Sequence, residues 1–487
     1  MEIKTIAKST VLLAGPKIIQ FIVGIVRAKL IAVYLGTTGS GIINQLRETI
    51  QQISTFALSS VPEGMVKLIA QENAIKIDIE KIGSIIKTYL VLIIPLSVLV
   101  TVFGYVFADK ITIFVFGSIE YKLYFQIGFA AIPISIMTAS TVSVLQAFKE
   151  IKSIAISGIV IILINFILFI PLIYFYKITG GVIYVTLSFF ITFFVFYFYM
   201  KKNIFQKYNI SFKDIKSGIF SNKYFKELIK FMGFGLVSGT YYIFTEISTR
   251  AIVVNELGID KLGIYAPIAA WGGLFTGFIL PSMGTYLFPR ISEAKDNQDI
   301  IGVINDVIRL TTFITLPFVI IGISIRQWII PLFYSTEFIE ASIYLPFHFA
   351  GLLFTIWTFA FTYIFAPTGR LKSYLIFAII FHSISLALVY FLVPKYGLFG
   401  YLSKFTIVPI ITTLGYFIYW NYEIKFKLES DNIKIIIYTI FSICLLLLLK
   451  DEFVSLLIIT LPLIFVQFLF LKKQEKEFLY KKLSNFL

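Results

Sequence analysis

The chain is poor in the residues that soluble enzymes depend on. Its one cysteine, Cys444, sits in an apolar run, which excludes a disulfide framework and a cysteine-based metal site. Two histidines, His348 and His382, are too few for metal catalysis, and both fall in mostly apolar stretches where they read as packing residues rather than proton relays. Charge is scarce as well, at 14% of 487 residues. The outer-facing stretches around 108–121 and 327–339 read as short loops without paired carboxylates, and no inner loop carries a DxD. A glycosyltransferase, ligase or polymerase would need such an exposed catalytic segment.

Oil dominates what remains: 58% of residues are hydrophobic and 17% aromatic, with a mean hydropathy of +0.90. Apolar runs of about 20 residues recur from end to end, each long enough to cross a hydrocarbon core of about 30 Å as a helix. Backbone groups in lipid must be satisfied within their own segment, so the expected fold class is an all-α polytopic membrane protein. Spans are predicted near 10–34, 39–61, 84–107, 122–147, 154–176, 181–200, 231–254, 263–288, 306–326, 340–366, 373–393, 399–421, 433–449 and 453–471, about 14 transmembrane helices. The first follows Lys4 and Lys8 and lacks a small-residue cleavage pattern, so it reads as a retained helix rather than a signal peptide.

The net charge of +15 does not point to nucleic acid, because the basic residues cluster in alternate loops. One set of loops and tails carries Lys67, Lys76, Lys81, Lys149, Lys152, the lysines between 201 and 230, and those from 472 onward; the other carries only a few, such as Lys110, Lys177 and Lys395. The positive-inside rule then places both termini in the cytoplasm.

The sequence also repeats. RAKLIAVYLGTTGSGI from Arg27 parallels RAIVVNELGIDKLGI from Arg250. Gly36 recurs as Gly258, Gly41 as Gly263 and Pro95 as Pro317, all at one common offset, and the loop ending at Ser153 recurs as the loop ending at Ser373 at nearly the same offset. Recurring offsets in one order predict two parallel six-helix repeats plus two extra C-terminal helices. The expected organisation is a lobe over residues 1–200, a basic cytoplasmic linker over 201–230, a second lobe over 231–421, and two peripheral helices with a basic tail over 422–487.

Polar residues inside these spans are where chemistry is expected. At 100° per residue, Lys17, Gln20 and Arg27 share an arc of about 80° on the first helix, while Lys29 points the other way and is placed to snorkel to the headgroups. Asn44, Arg47, Glu48, Gln51 and Thr55 share about 100° of the second helix. The seventh carries Ser238, Tyr241, Tyr242, Thr245, Glu246, Thr249 and Arg250 on a broad polar face. A charge at the bilayer centre costs about 2.5–3.5 kcal/mol on insertion scales, so such groups should face a hydrated interior or one another. Arg27, Arg47 and Arg250 fall at similar depth, with Arg27 and Arg250 expected to face each other across the repeat axis and Arg47 beside Arg27. Guanidinium forks bind phosphate oxygens bidentately, so the predicted substrate-binding set is Arg27, Arg47, Arg250, Lys17, Gln20, Asn44, Gln51 and Tyr242, arranged for a phosphate or diphosphate. The blander reading is that each arginine neutralises a nearby acid, Glu48 or Glu246. In the functional reading those two carboxylates become candidates for coupling to H+ or Na+; no other cofactor and no metal site is expected. Lys404 is compatible with the cavity or with the headgroups.

The hairpin RAKLIAVYLGTTGSGIINQL, the following inner segment SSVPEGMVKLIAQ and the six-plus-six-plus-two plan together resemble the Wzx-type O-antigen and polysaccharide flippases of the MOP exporter superfamily. The resemblance covers essentially the whole chain. It implies translocation of an undecaprenyl-diphosphate-linked oligosaccharide across a bacterial inner membrane by alternating access, driven by an ion gradient, with basic cavity residues at the positions of Arg27, Arg47 and Arg250. Polysaccharide polymerase and chain-length proteins are the partners it implies. The eighth helix, APIAAWGGLFTGFILPSMGTYLFPR, has no central arginine, a departure from relatives that use one there. A MATE-like drug or cation antiporter on the same fold is the main rival, and it would want an acidic or aromatic cavity where this one is net basic.

Overall fold

The computed structural model describes residues 2–75, 78–208, 210, 218–449, 453–472 and 475–476, with some side chains inside helices, Ser238 among them, outside the described set. The middle of the basic linker and most of the tail therefore lie outside the described residues. Among the described residues there is no strand. The helices are α1 (Glu2–Leu58), α2 (Val61–Ile75), α3 (Ile79–Val106), α4 (Ala108–Phe116), α5 (Lys122–Phe129), α6 (Ile132–Ala147), α7 (Ile151–Met200), α8 (Asn222–Leu257), α9 (Ile259–Ser292), α10 (Asn297–Ser324), α11 (Arg326–Phe333), α12 (Ala341–Phe365), α13 (Leu371–Tyr396), α14 (Leu398–Ile424), α15 (Ser430–Leu448) and α16 (Phe453–Val466).

Among the described residues, ten helical segments are long and apolar enough to cross a membrane. Two of them hold two spans each, because α1 is broken at Gly36 and α7 at Lys177. With α8 and the short apolar α16, the fourteen expected spans are accounted for. Helix α8 is not among the ten, and its residues explain why: Thr245, Glu246, Thr249 and Arg250 interrupt its oil. At Gly36 φ is 63° and at Gly258 it is 94°, a left-handed region that a Cβ disfavours, so glycine ends the helix at both copies of the Leu-Gly signal.

Three expectations are corrected. The inner segment Val61–Ile75 is a helix rather than a loop, since Val61, Met65, Leu68 and Ile69 recur at helical spacing and are buried. The stretches around 108–121 and 327–339 are likewise helical, as α4 and α11. The proline pair is out of register: α3 and α10 both span 28 residues and end at Phe107 and Ile325 with near-identical φ, yet Pro95 and Pro317 sit one turn apart in the two helices.

By packing, the chain forms two compact units, Met1–Gly263 and Ile264–Leu487. Duplication says where a copy begins and packing says what it touches. Helix α8, expected from the sequence to open the second lobe, packs in the first unit at both of its ends. Near its N-terminal end Tyr224 Oη donates to Glu72 at 3.3 Å and Lys67 lies over the Phe231 ring at 5.4 Å. Lys81 bonds the same Glu72 at 3.2 Å, and that contact holds its ammonium above the usual lysine range. Near its C-terminal end Asn255 Nδ2 donates to the Phe114 carbonyl at 3.0 Å. A Cβ on Gly41 would collide with the Ile259 carbonyl, and one on Gly263 with the Thr37 carbonyl. Those two contacts are each other's copies at the offset that relates Gly36 to Gly258, so glycine is required at both for the chains to approach this closely.

The second unit packs around aromatic residues. Phe365 meets Tyr374, Phe377, Tyr416, Tyr419 and Trp420 between α12, α13 and α14. Helices α15 and α16 expose Ile437, Phe441, Leu448, Ile458, Leu461 and Phe465, the apolar outer surface expected of lipid-facing helices.

Candidate functional site

Two helix ladders bring the site together in the first unit. The arm of α1 after Gly36 carries Ile43 and Arg47 one turn apart. The arm of α7 after Lys177 carries Gly181 and Tyr184, also one turn apart. A Cβ on Gly181 would collide with Ile43, so the missing side chain lets the arms touch and sets Tyr184 level with Arg47. The arm of α1 before Gly36 contributes Arg27, whose Nη1 donates to Tyr184 Oη at 3.0 Å. Arg47 has Arg27, Glu48 and Tyr184 as the charged and titratable groups within its electrostatic reach. Both arginines are half-buried, and among the described residues neither forms an ion pair with a carboxylate.

Arg250 approaches from α8. Its Nη1 lies 3.5 Å from Gln45 Oε1 and its Nη2 lies 3.9 Å from Glu48, so it reaches across to α1. Gln45 is 1% exposed and its amide also donates to the Val115 carbonyl at 3.1 Å, which fixes the oxygen offered to Arg250. Arg27 and Arg250 stand one position further apart in the chain than the glycine turns at Gly36 and Gly258. One such step is about 100° of helix rotation, which is why Arg27 faces α7 while Arg250 faces the second arm of α1. At about 1.5 Å per residue, Arg27, Arg47 and Arg250 lie about 12–17 Å along their helices from the glycine turns, about half the thickness of a hydrocarbon core of about 30 Å.

The other predicted residues take various places. Asn44 is half-buried and donates to the Ser40 carbonyl at 2.9 Å and to its hydroxyl at 3.3 Å, so its amide is engaged on its own helix. Gln51 and Tyr242 are exposed, as are Lys17 and Gln20. Lys17 and Gln20 lie about 15 Å and about 10 Å along the helix from Arg27, too far to share one phosphate with it. Glu48 has a side chain 39% exposed, and Glu246 is half-buried. Lys29 is half-buried, whereas Lys404 is 3% exposed with Nζ 4.8 Å from the rings of both Tyr401 and Phe405, so it packs inside the second unit instead of reaching headgroups. Tyr184 and Gln45 were not predicted. Tyrosine counts as hydrophobic in a span, and Gln45 lies outside the polar arc of the second helix.

The comparisons with known proteins bear on the family and the fold. The profile of the family described as "Polysaccharide biosynthesis protein" matches residues 6–295, which contain all three arginines. A candidate O-antigen transporter of Shigella flexneri is 30% identical over 204 residues, 41% of this chain and 49% of that protein, so the match spans about half of the relative. The lipid III flippase of Escherichia coli (strain K12) is 19% identical over 436 residues, 86% of this chain and 99% of that one. Among solved structures, that of the lipid II flippase MurJ in an inward closed conformation aligns at a TM-score of 0.72 and 18% identity, covering 97% of this chain and 100% of that one, a likeness of fold.

Proposed function

This chain belongs to the polysaccharide biosynthesis protein family, and from that premise we propose that it is a flippase for an undecaprenyl-diphosphate-linked oligosaccharide, an O-antigen or another surface-polysaccharide repeat unit. The observation that carries the proposal is the pairing of Arg27 with Arg47 beside Tyr184, where Glu48 is the carboxylate in reach of Arg47 and is approached by Arg250 as well, so that positive charge is in excess. Two like charges at this depth repel each other and are poorly solvated, and an anion entering between them relieves both penalties. A diphosphate supplies that charge and offers the forked oxygens that guanidinium groups bind best. The polyprenyl tail stays in the bilayer while the head crosses.

Transport is by alternating access in a bacterial inner membrane with both termini in the cytoplasm, coupled to H+ or Na+ through Glu48 and Glu246. Arg250 Nη2 approaches Glu48 at 3.9 Å, which ties one candidate coupling carboxylate to the basic cluster. Polysaccharide polymerase and chain-length proteins are the expected functional partners. A drug antiporter of the same fold is disfavoured, since Arg27 and Arg47 would repel a cationic drug.

A leaflet assay tests the reading. The full chain is reconstituted in vesicles and a fluorescent polyprenyl-diphosphate sugar is followed as it becomes accessible to a membrane-impermeant quencher. Gradient-dependent translocation is expected. Translocation no faster than in empty vesicles, together with uptake of a cationic dye, would replace the flippase with the antiporter.

A further inference from the structure

Tyr184 is the group nearest the arginine pair that neither composition nor helix periodicity singles out. It is 6% exposed, and its ring is fixed edge-on to Phe169 at 4.9 Å. Its oxygen accepts from Arg27 Nη1 at 3.0 Å. A phenol that accepts a hydrogen bond from a guanidinium is polarised into a stronger donor, and its own O–H proton is then available for a further acceptor.

A second observation marks the same station. Lys177 and Gly397, both at positive φ, open corresponding arms at the offset that relates Ser153 to Ser373. In that register Gly180 and Gly400 correspond, and each packs on the carbonyl of a residue two turns earlier, Leu172 and Leu392. Thr186 donates to the Ile127 carbonyl at 3.1 Å, and Thr406 donates to that of Phe347 at 2.8 Å. The residue that matches Tyr184 in this register is Lys404, another buried hydrogen-bond donor. Each unit thus buries a large polar side chain at this position of the helix, against the usual expense of burying a polar group there.

We propose that Tyr184 is a ligand-binding residue, its hydroxyl accepting from Arg27 and donating to a phosphate oxygen of a diphosphate, so that Arg27, Arg47 and Tyr184 form a three-donor cradle for one phosphate within the first unit. This rests on the anion-binding reading of Arg27 and Arg47 and adds a neutral donor to it. Three donors from three helical arms favour a tetrahedral phosphate over a planar carboxylate, which two forked groups already satisfy.

The test measures binding of undecaprenyl diphosphate and, separately, of inorganic diphosphate to the full chain in nanodiscs. Tyr184→Phe is expected to weaken binding about tenfold, the loss of one hydrogen bond to a charged group, with thermal stability retained. A loss seen with both ligands assigns the contact to the diphosphate itself; a loss confined to the lipid assigns it to the lipid-linked head. Incorporation of 3-fluorotyrosine at 184 separates donor from support: fluorine makes the phenol a better donor and a poorer acceptor, so binding tightens if Tyr184 donates to the ligand and weakens if it only holds Arg27. That second arm also decides the matter should Tyr184→Phe fail to fold. Unchanged binding by Tyr184→Phe alongside loss in Arg27→Ala would overturn this inference and leave the anion site standing. If the native chain binds neither ligand, the anion reading itself falls.

Discussion

Arg27 and Arg47 in the first unit and Arg309 in the second show two ways for a membrane protein to hold a guanidinium. Arg309 has a side chain 1% exposed and is surrounded by acids: Nη1 reaches Glu429 at 3.3 Å, Nη2 reaches Glu475 at 2.7 Å, and Asp306 lies one turn away on its own helix. Lys472 closes the network, 2.8 Å from Glu429 and 3.3 Å from Asp306. Asn432 Nδ2 donates to Asn305 Oδ1 at 2.6 Å beside it, fastening the start of α15 to α10. Every nitrogen of Arg309 is engaged by a carboxylate of the protein, so the residue joins α10 to the C-terminal helices. Arg27 has one neutral partner, Tyr184, and Arg47 has both Arg27 and Glu48 within reach without, among the described residues, an ion pair of the kind that encloses Arg309. The difference teaches that the count of arginines in a span says little, and the balance of acids around each one says most.

The largest effect that would sharpen this contrast is loss of transport. Replacing Arg27 or Arg47 by Ala is expected to reduce flipping at least about thirtyfold, from the roughly 2–5 kcal/mol typical of truncating one partner of a desolvated charge pair, with the amount of folded protein unchanged. A leaflet assay normalised to size-exclusion yield measures it. Replacing Arg309 by Met should do the reverse. It leaves acids facing one another, and because Asp306 and Glu429 reach water the destabilisation is expected to be about 2 kcal/mol, below that of a fully buried pair. Thermal unfolding should report the loss while flipping per folded molecule stays near the native rate, and the exchange Arg309→Glu with Glu475→Arg should recover part of the stability.

Arg309 also shows where sequence reasoning stops. Its neighbour Asp306 at i−3 is visible in the sequence, but Glu475 is 166 positions away and no periodicity connects them. The fourteen spans were legible because each needs only length and oil, and the glycine turns were legible because Gly36 and Gly258 close the same short motif. Helices α2 and α4 were not, since a short amphipathic helix has the composition of a loop. The register of Arg27 against Arg250 was misjudged by a single residue, enough on a helix to turn one arginine toward α7 and the other toward the second arm of α1. Tyr184 was hidden by its aromatic ring, and the offset from Ser153 to Ser373, carried into the sixth and twelfth spans, would have paired it with Lys404.

Smaller effects refine the comparison from the packing side. Gly41→Val should drive a side chain into the Ile259 carbonyl and reduce stability by about 1–3 kcal/mol, the range of overpacking, with Gly263→Val producing a similar loss at the copied contact. Thermal melts of both variants check whether the two contacts are equivalent. Lys29→Ala is expected to change transport by less than about twofold, because Lys29 lies on the side of α1 away from Arg27.

The most direct measurement locates the phosphorus. With 15N in the arginine side chains and undecaprenyl diphosphate bound to the full chain in lipid, solid-state 15N–31P dephasing should place a phosphorus within about 4 Å of guanidinium nitrogen, as a charge-assisted N–H···O–P contact requires. The signal is predicted to fall in Arg27→Ala and in Arg47→Ala and to persist in Arg309→Met. Bound lipid that produces no dephasing in the native chain, or dephasing untouched by loss of Arg27 and Arg47, would contradict the account.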